Sequence, residues 1–113
     1  MEQVIQEEEL SPIVIDLGAN RRGELTEQTL LQMGGQIKWM ISQMFAGTPI
    51  NAMFRGTKRE VNSFGRALYR EKKYMDSYLR YGLNDARTYR DKARLANSVK
   101  GFESATGLTW PFK

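Results

Sequence analysis

The sequence of 113 residues contains no cysteine and no histidine. The absence of cysteine excludes disulfide bonds and thiolate ligands, so redox chemistry gives no indication of the compartment. The absence of histidine removes the most common general base and a usual protein ligand of zinc and iron. No spacing of carboxylates, lysines, tyrosines or serines indicates an active site in their place. We therefore predict a protein that is not an enzyme and that binds no cofactor, metal ion or small-molecule substrate.

Long hydrophobic runs are also absent. A membrane-spanning helix needs about 20 consecutive apolar residues, and no stretch of the sequence approaches that length. Residues 1–9 include four glutamates, whereas a secretory signal would be basic and then apolar. We therefore expect a cytoplasmic protein that does not bind membranes.

Charge is unevenly distributed along the chain. Residues 1–47 carry seven acidic and three basic side chains, a net charge of −4. Residues 48–100 carry five acidic and thirteen basic side chains, a net charge of +8. A chain polarised in this way can pair its own halves, pair with a second copy, or bind a polyanion with its basic half.

The N-terminal residues 1–23 lack helical periodicity and are predicted to form an extended arm. They contain one β-prone run, Ile13–Leu17, which lies between Ser11-Pro12 and Gly18. The sequence shows no second strand, and a single strand cannot form a sheet. We expect this run to lie along the helices, to stay mobile, or to add to the edge of a partner's sheet.

A first helix is predicted over about residues 24–46. Its apolar side chains recur at steps of three and four, at Leu30, Met33, Ile37, Met40 and Met44. Gly47 is suited to end it, because glycine readily adopts the left-handed conformation that follows many helices. The pair Gly34-Gly35 inside it either kinks the helix or lets another backbone approach closely.

Two further helices are predicted after the first. The second is long, from about Pro49 to Tyr81, with Thr48 as its N-cap, and the third runs from Asn84 to about Glu103. The buried face of the third is predicted to comprise Ala86, Tyr89, Ala93, Ala96 and Val99. The expected fold is therefore mostly α, with residues 24–103 forming an elongated helical hairpin or three-helix arrangement.

The long second helix carries the most specific pattern in the sequence. Basic residues recur at every seventh position, about 10 Å apart on one face, at Arg59, Arg66, Lys73 and Arg80. The opposite face is apolar and contains Phe54, Val61, Phe64, Leu68, Met75 and Tyr78. This basic stripe predicts contact with an acidic protein surface or with nucleic acid phosphates, where nearby tyrosines could stack on bases. It is also compatible with an ordinary solvated face.

The C-terminal residues 104–113 are predicted to form an aromatic tail, because Pro111 prevents the third helix from continuing. Trp110 and Phe112 are of the residue class that often anchors interfaces. The tail either projects into a pocket on a partner or folds back over the helices of its own chain. If it projects, removal of residues 107–113 should leave the helical content nearly unchanged.

The run Ile13-Val14-Ile15-Asp16-Leu17-Gly18, followed by Arg21-Arg22, resembles the opening of small, basic, uncharacterised proteins of tailed phages and bacteria. In that pattern an apolar strand, a glycine and a basic pair precede a helical region. The resemblance implies a virion component or an assembly adaptor. It implies no individual site residue.

Three helices with two non-helical ends are expected to leave more apolar surface than one copy can cover. We therefore expect a structural or adaptor subunit, which docks its terminal arms onto a protein partner or a second copy. The predicted partner contacts are Ile13, Val14, Ile15, Leu17, Trp110 and Phe112. The alternative is a small nucleic-acid-binding protein that uses the basic stripe.

Overall fold

The computed structural model describes residues 13–112, which form three helices and two short strands. In chain order the elements are β1 Ile13–Asp16, α1 Glu27–Ala46, β2 Ala52–Arg55, α2 Lys58–Tyr81 and α3 Ala86–Thr106. The mostly α fold with three helices is confirmed. Its elongated shape is confirmed as well, with principal extents of 52 × 36 × 24 Å. The part of the predicted arm on residues 1–12 lies outside the described residues.

The β-prone run near the N-terminus forms a strand whose partner lies in the same chain. β1 pairs in parallel with β2, in a register that places Ile13 opposite Ala52 and Asp16 opposite Arg55. The expectation that the sequence holds no second strand was wrong. The four residues of β2, Ala-Met-Phe-Arg, do not alternate between apolar and polar side chains. They could therefore not be told apart from the helix that was predicted around them.

The same strand moves the start of the long helix from the predicted Pro49 to Lys58. Thr57 is the N-cap: its hydroxyl accepts the Glu60 N–H at 3.2 Å, and the Glu60 carboxylate accepts the Thr57 N–H at 2.8 Å. This reciprocal capping box satisfies backbone N–H groups that the first turn leaves without partners. The end of the preceding helix was predicted correctly, since Gly47 closes α1 in the left-handed region with φ of 72°.

α2 and α3 form an antiparallel hairpin with the most extensive packing in the fold. The buried hydroxyl of Thr88 donates to the Gly82 carbonyl at 2.7 Å and closes the connection between the helices. The Ser77 hydroxyl donates to the Asp91 carboxylate and links the two helices nearby. These contacts fix the relative position of the helices next to the turn.

The buried face of α3 differs from the predicted one. Of the predicted residues, Val99 is buried, whereas Ala86, Tyr89, Ala93 and Ala96 are exposed. The buried residues of α3 are Thr88, Leu95, Val99, Phe102 and Thr106. The predicted face is displaced by roughly one residue, or about 100° of rotation. The prediction was based on the small residues of the helix. It omitted Leu95 and Phe102, which are buried in the core.

The core lies where β1, the three helices and the C-terminal residues meet. Among its fully buried side chains are Ile15 and Leu17 from the N-terminal segment, and Phe64, Phe102 and Trp110. The Trp110 ring lies 5.1 Å from that of Phe102 and 6.1 Å from that of Phe64, between centroids. Such tilted and edge-on arrangements are the ones that aromatic rings favour.

The C-terminal tail folds back onto the chain. Trp110 is only 1% exposed, and its Nε1 donates to Glu71 Oε1 at 2.8 Å. Beside it, a Cβ added at Gly34 would lie 3.4 Å from the Cβ of Pro111. α1 is continuous through Gly34-Gly35, so the pair does not break the helix. Gly34 allows the close approach of the tail, whereas a Cβ at Gly35 would meet no atom within 4 Å.

Candidate functional site

A groove runs between α2 and α3. Its first section has a volume of about 630 Å³ and is lined by Lys58, Arg59, Asn62, Ser63 and Arg66 of α2 and by Asn97, Ser98, Gly101 and Ala105 of α3. Asparagine and serine side chains can donate hydrogen bonds to phosphate oxygens, as Lys and Arg can. This section therefore presents positive charge from α2 opposite a small, polar wall from α3.

The second section lies next to the turn of the hairpin and has a volume of about 330 Å³. Here Lys73 and Arg80 of α2 face Arg87, Arg90 and Arg94 of α3. Positive side chains therefore come from both helices. The acidic residues in this lining are Asp76 and Asp91.

The two sections follow one another along one side of the hairpin, because Arg59, Arg66, Lys73 and Arg80 share a face of α2. From Arg59 to Arg80 this face extends about 32 Å at 1.5 Å per residue. We call the two sections together the basic groove. Its eight cationic side chains are Lys58, Arg59, Arg66, Lys73, Arg80, Arg87, Arg90 and Arg94.

Most of these cations are not neutralised by carboxylates of the described residues. Arg80 pairs with Asp76 at 3.2 Å in an exposed contact one turn away, a type of pair that contributes little to stability. Within residues 13–112, six of the eight form no ion pair within 4 Å: Lys58, Arg59, Arg66, Lys73, Arg90 and Arg94. Of these, Arg90 is near enough to Asp85 for its charge to help lower the pKa of that carboxyl.

Arg87 is held in place at the turn. Its guanidinium donates to the two carboxylate oxygens of Asp85, the N-cap of α3, at 3.0 and 3.1 Å. The same group lies 3.4 Å from the ring centroid of Tyr81. The hydrogen bonds from the Arg87 side chain and backbone lower the pKa of Asp85 to about 2. Asp85 is therefore ionised at any ordinary pH, and Arg87 stays fixed beside the second section of the groove.

The sequence-predicted basic stripe and the groove share four residues. The structure places Arg59, Arg66, Lys73 and Arg80 along the α2 wall, while their ligand stays a prediction. The α3 arginines were not predicted from the sequence. Arg87, Arg90 and Arg94 follow the three-four spacing of one helical face, which was a usable signal.

Aromatic side chains are nearly absent from the basic groove. Tyr81 lines its second section, but one face of its ring is covered by Arg87. Tyr69 lines neither section, but it is 52% exposed on the same face of α2, between Arg66 and Lys73, and the Arg70 guanidinium lies 5.3 Å from its ring centroid. Tyr78 and Tyr89 are exposed and line neither section. The idea that interleaved tyrosines stack on bases beside the stripe therefore stays a prediction, and Tyr69 is the exposed tyrosine that lies within the stripe.

The predicted partner contacts occupy different positions. Ile15, Leu17 and Trp110 are buried in the core of their own chain. The prediction that they dock onto a partner is corrected, because intramolecular contacts already cover them. Ile13 and Phe112 are half-buried, and Val14 is exposed.

The basic pair Arg21-Arg22 binds carboxylates of its own chain. Arg21 Nε lies 3.2 Å from Glu60 Oε2, and Arg22 pairs with Asp16 and, at 2.7 Å, with Glu24. The pair therefore joins the turn after β1 to the start of α2 and stabilises the fold locally.

Large apolar side chains are also exposed outside the basic groove. Several large hydrophobic side chains of β1, α1 and β2 are exposed: Val14, Leu31, Trp39, Phe45, Met53 and Phe54. Leu31 is the most open of these, at 78% exposure. Exposed apolar side chains are typical of interaction sites where they form one contiguous patch.

Comparison with protein-family models, curated proteins and solved structures finds no match to this chain. The resemblance to phage and bacterial proteins therefore stays a prediction. Within residues 13–112, no group of three or more acidic side chains is placed to hold a metal ion. Likewise, none of the helices described here combines the length and apolar character needed to cross a membrane.

Proposed function

We propose that this protein is a non-enzymatic nucleic-acid-binding protein that contacts the phosphate backbone through the basic groove. The observation that carries the proposal is the convergence of eight cations from two helices on one groove, six of them without an ion pair among the described residues. The sequence alone favoured an adaptor that acts through its terminal arms. Burial of Ile15, Leu17 and Trp110 removes much of the surface on which that mechanism depended.

The physical basis is counterion release. Each Lys or Arg that contacts a phosphate displaces condensed cations from the nucleic acid, so affinity falls linearly with salt on a log–log scale. Six to eight contacts correspond to a slope of about −5 to −7 on B-DNA. Between 50 and 200 mM salt the affinity should then fall by about a thousand-fold or more.

The test is a salt titration of binding to a fluorescently labelled 24-base-pair duplex, followed by anisotropy. The groove variant combines Arg59→Gln, Arg66→Gln, Lys73→Gln and Arg80→Gln. It should reduce the magnitude of the slope by about 3 to 4, at 0.9 per lost contact. All four substituted side chains are exposed, so circular dichroism should report an unchanged fold.

A matched control removes the same number of charges outside the groove. Lys38, Lys72, Lys92 and Lys100 line neither section, and their joint replacement by Gln should change the slope by less than about 1. Equal losses in the groove and control variants would show that only net charge matters. No binding by the wild-type protein at 50 mM salt would refute the proposal.

An acidic protein surface is the other ligand that the basic stripe predicts. Polyglutamate of matched charge distinguishes it from nucleic acid in the same titration. The proposal expects the duplex to bind more tightly at equal salt, because its phosphates are more closely spaced along a stiff axis. Tighter binding of polyglutamate would instead indicate that the groove binds an acidic protein surface.

A second candidate is a structural or adaptor subunit that associates with a second copy. The exposed apolar side chains of β1, α1 and β2 favour it, and the virion setting implied by the resemblance belongs to this candidate. Light scattering after size exclusion should then show a dimer or larger assembly in high salt. Replacement of Leu31 and Trp39 by Gln should return the mass to that of a monomer. A wild-type monomer across the accessible concentration range would exclude this candidate.

A further inference from the structure

We infer that the basic groove is built for double-helical nucleic acid in preference to single strands. This inference rests on the proposed function and specifies its substrate class. Three observations carry it: the rigidity of the hairpin, the distribution of its cations, and the lack of an open aromatic surface in the two sections of the groove.

The cations are distributed along a rigid support. α2 and α3 are joined by the Thr88 hydroxyl bond to Gly82 at 2.7 Å and by the Ser77–Asp91 contact. Phe64 of α2 and Phe102 of α3 pack together in the core, 6.0 Å apart between ring centroids. The backbone positions that carry the cations of α2 and α3 are therefore fixed relative to one another over about 32 Å.

A rigid charged surface of this length matches a duplex better than a single strand. A duplex is itself stiff and carries one phosphate charge per about 1.7 Å of its axis. A single strand is flexible, so it must lose conformational freedom to follow the groove. It also releases fewer counterions for each contact, with about 0.7 per phosphate against 0.9 for the duplex.

Single-strand binders usually recover this loss by stacking bases on aromatic side chains. The two sections of the basic groove lack such a platform, and Tyr69, which lies between them, has the Arg70 guanidinium 5.3 Å from its ring centroid. Of the residues that line the two sections, Tyr81 is the sole aromatic one, and the Arg87 guanidinium lies 3.4 Å from its ring centroid. Asn62, Asn97 and Ser98 complete a lining suited to phosphate oxygens.

The test compares three labelled probes at identical salt: a 24-base-pair DNA duplex, an RNA duplex of the same length, and an unstructured single strand of 24 nucleotides. We expect at least one duplex to bind about 10-fold more tightly than the single strand. The tighter of the two duplexes identifies whether DNA or RNA is the source of this double-helical ligand. AT-rich and GC-rich duplexes should bind within about 3-fold of one another, because contacts to the backbone carry no direct sequence information.

Two outcomes separate this inference from the proposed function. If the single strand binds as tightly as both duplexes or more tightly, the preference inferred here is overturned while nucleic acid binding stands. If none of the probes binds at 50 mM salt, the proposed function itself fails. A single-strand affinity that drops on replacement of Tyr69 by Leu would show that bases stack on the α2 face of the groove, and it would count against this inference.

Discussion

Trp110 and Glu71 lie 39 residues apart in the chain and are joined by a hydrogen bond of 2.8 Å from the indole Nε1 to Oε1. Both side chains are buried, at 1% and 2% exposure. The bond connects the C-terminal tail to the middle of α2, while Pro111 contacts α1 at Gly34. α1 itself makes few direct contacts with α2. The tail therefore packs between α1 and the α2–α3 hairpin and connects them.

Substitution of Trp110 should be strongly destabilising. Trp110→Ala removes a large buried ring and should lower the free energy of unfolding by about 3–5 kcal/mol. Trp110→Phe keeps most of the ring packing but leaves the buried Glu71 carboxylate without its donor, at a cost of about 1–3 kcal/mol. Urea unfolding measures both values.

A neighbouring exposed position supplies the control for these variants. Thr109 lies beside Trp110 in the tail but is exposed, so Thr109→Ala should change stability by no more than about 0.5 kcal/mol. Wild-type stability in Trp110→Phe would show that the hydrogen bond to Glu71 contributes nothing measurable.

Removal of residues 107–113 should destabilise the whole protein. A projecting tail would leave helical content nearly unchanged, but the structure buries Leu108 and Trp110 in the core. Truncation would expose Phe64 and Phe102, which pack on Trp110. We expect a lower melting temperature and partial loss of helix by circular dichroism, with α1 affected most. A truncated chain that melts like the full-length protein would show that the tail is not part of the core.

Much of this fold is predictable from local signals, and the errors involve partners distant in sequence. Gly47 was identified as a helix end because its left-handed conformation depends on its own backbone. Ala52–Arg55 was missed because its four residues acquire strand character by pairing with Ile13–Asp16, far earlier in the chain. The direction of the tail was left open for a similar reason, since it depends on the buried Glu71 of another element.

In the candidate site, too, the part with a local signal was predicted and the part that depends on distant residues was missed. The α2 wall was recognised because Arg59, Arg66 and Lys73 recur with a fixed spacing on a single helix. The α3 wall was missed because its cations become part of a groove when α3 turns that face toward α2. That rotation is set by burial of Leu95 and Phe102, and the predicted face of α3 omitted both.

The stability of the protein should depend on pH through Glu71. Burial raises the pKa of this carboxyl above its ordinary value of 4.5, although the hydrogen bond from Trp110 opposes the shift. The folded state therefore binds this proton more tightly than the unfolded state does. The contribution of Glu71 to stability is greatest below pH 4.5, falls as pH rises from there through the folded pKa, and is then constant.

Glu71→Gln isolates this effect, because its amide oxygen can still accept the Trp110 hydrogen bond. Relative to the wild type, the variant should gain stability as pH rises from about 4.5 and reach a plateau once the pH exceeds the raised pKa of Glu71 in the folded state. The difference between the two proteins cancels the contributions of Asp16 and Glu60, which are lost at low pH. Burial raises the pKa of each of these carboxyls, but hydrogen bonds and nearby arginines together outweigh it and lower the pKa. A difference that does not change with pH would show that Glu71 titrates normally in the folded protein.

The α3 wall of the basic groove yields a prediction that the basic stripe alone does not make. Arg90 and Arg94 form no ion pair among the described residues and line the second section. Replacing both by Gln should reduce the magnitude of the salt slope for duplex binding by about 2, at 0.9 per contact. Arg87 is left intact in this variant, because it also holds the N-cap Asp85.

Replacement of Lys92 and Lys100 by Gln serves as the control of equal charge. Both lie on α3 but line a different cavity, with Trp110 and Phe112. If this control lowers the slope as much as the Arg90 and Arg94 variant does, the nucleic acid does not select the groove face of α3.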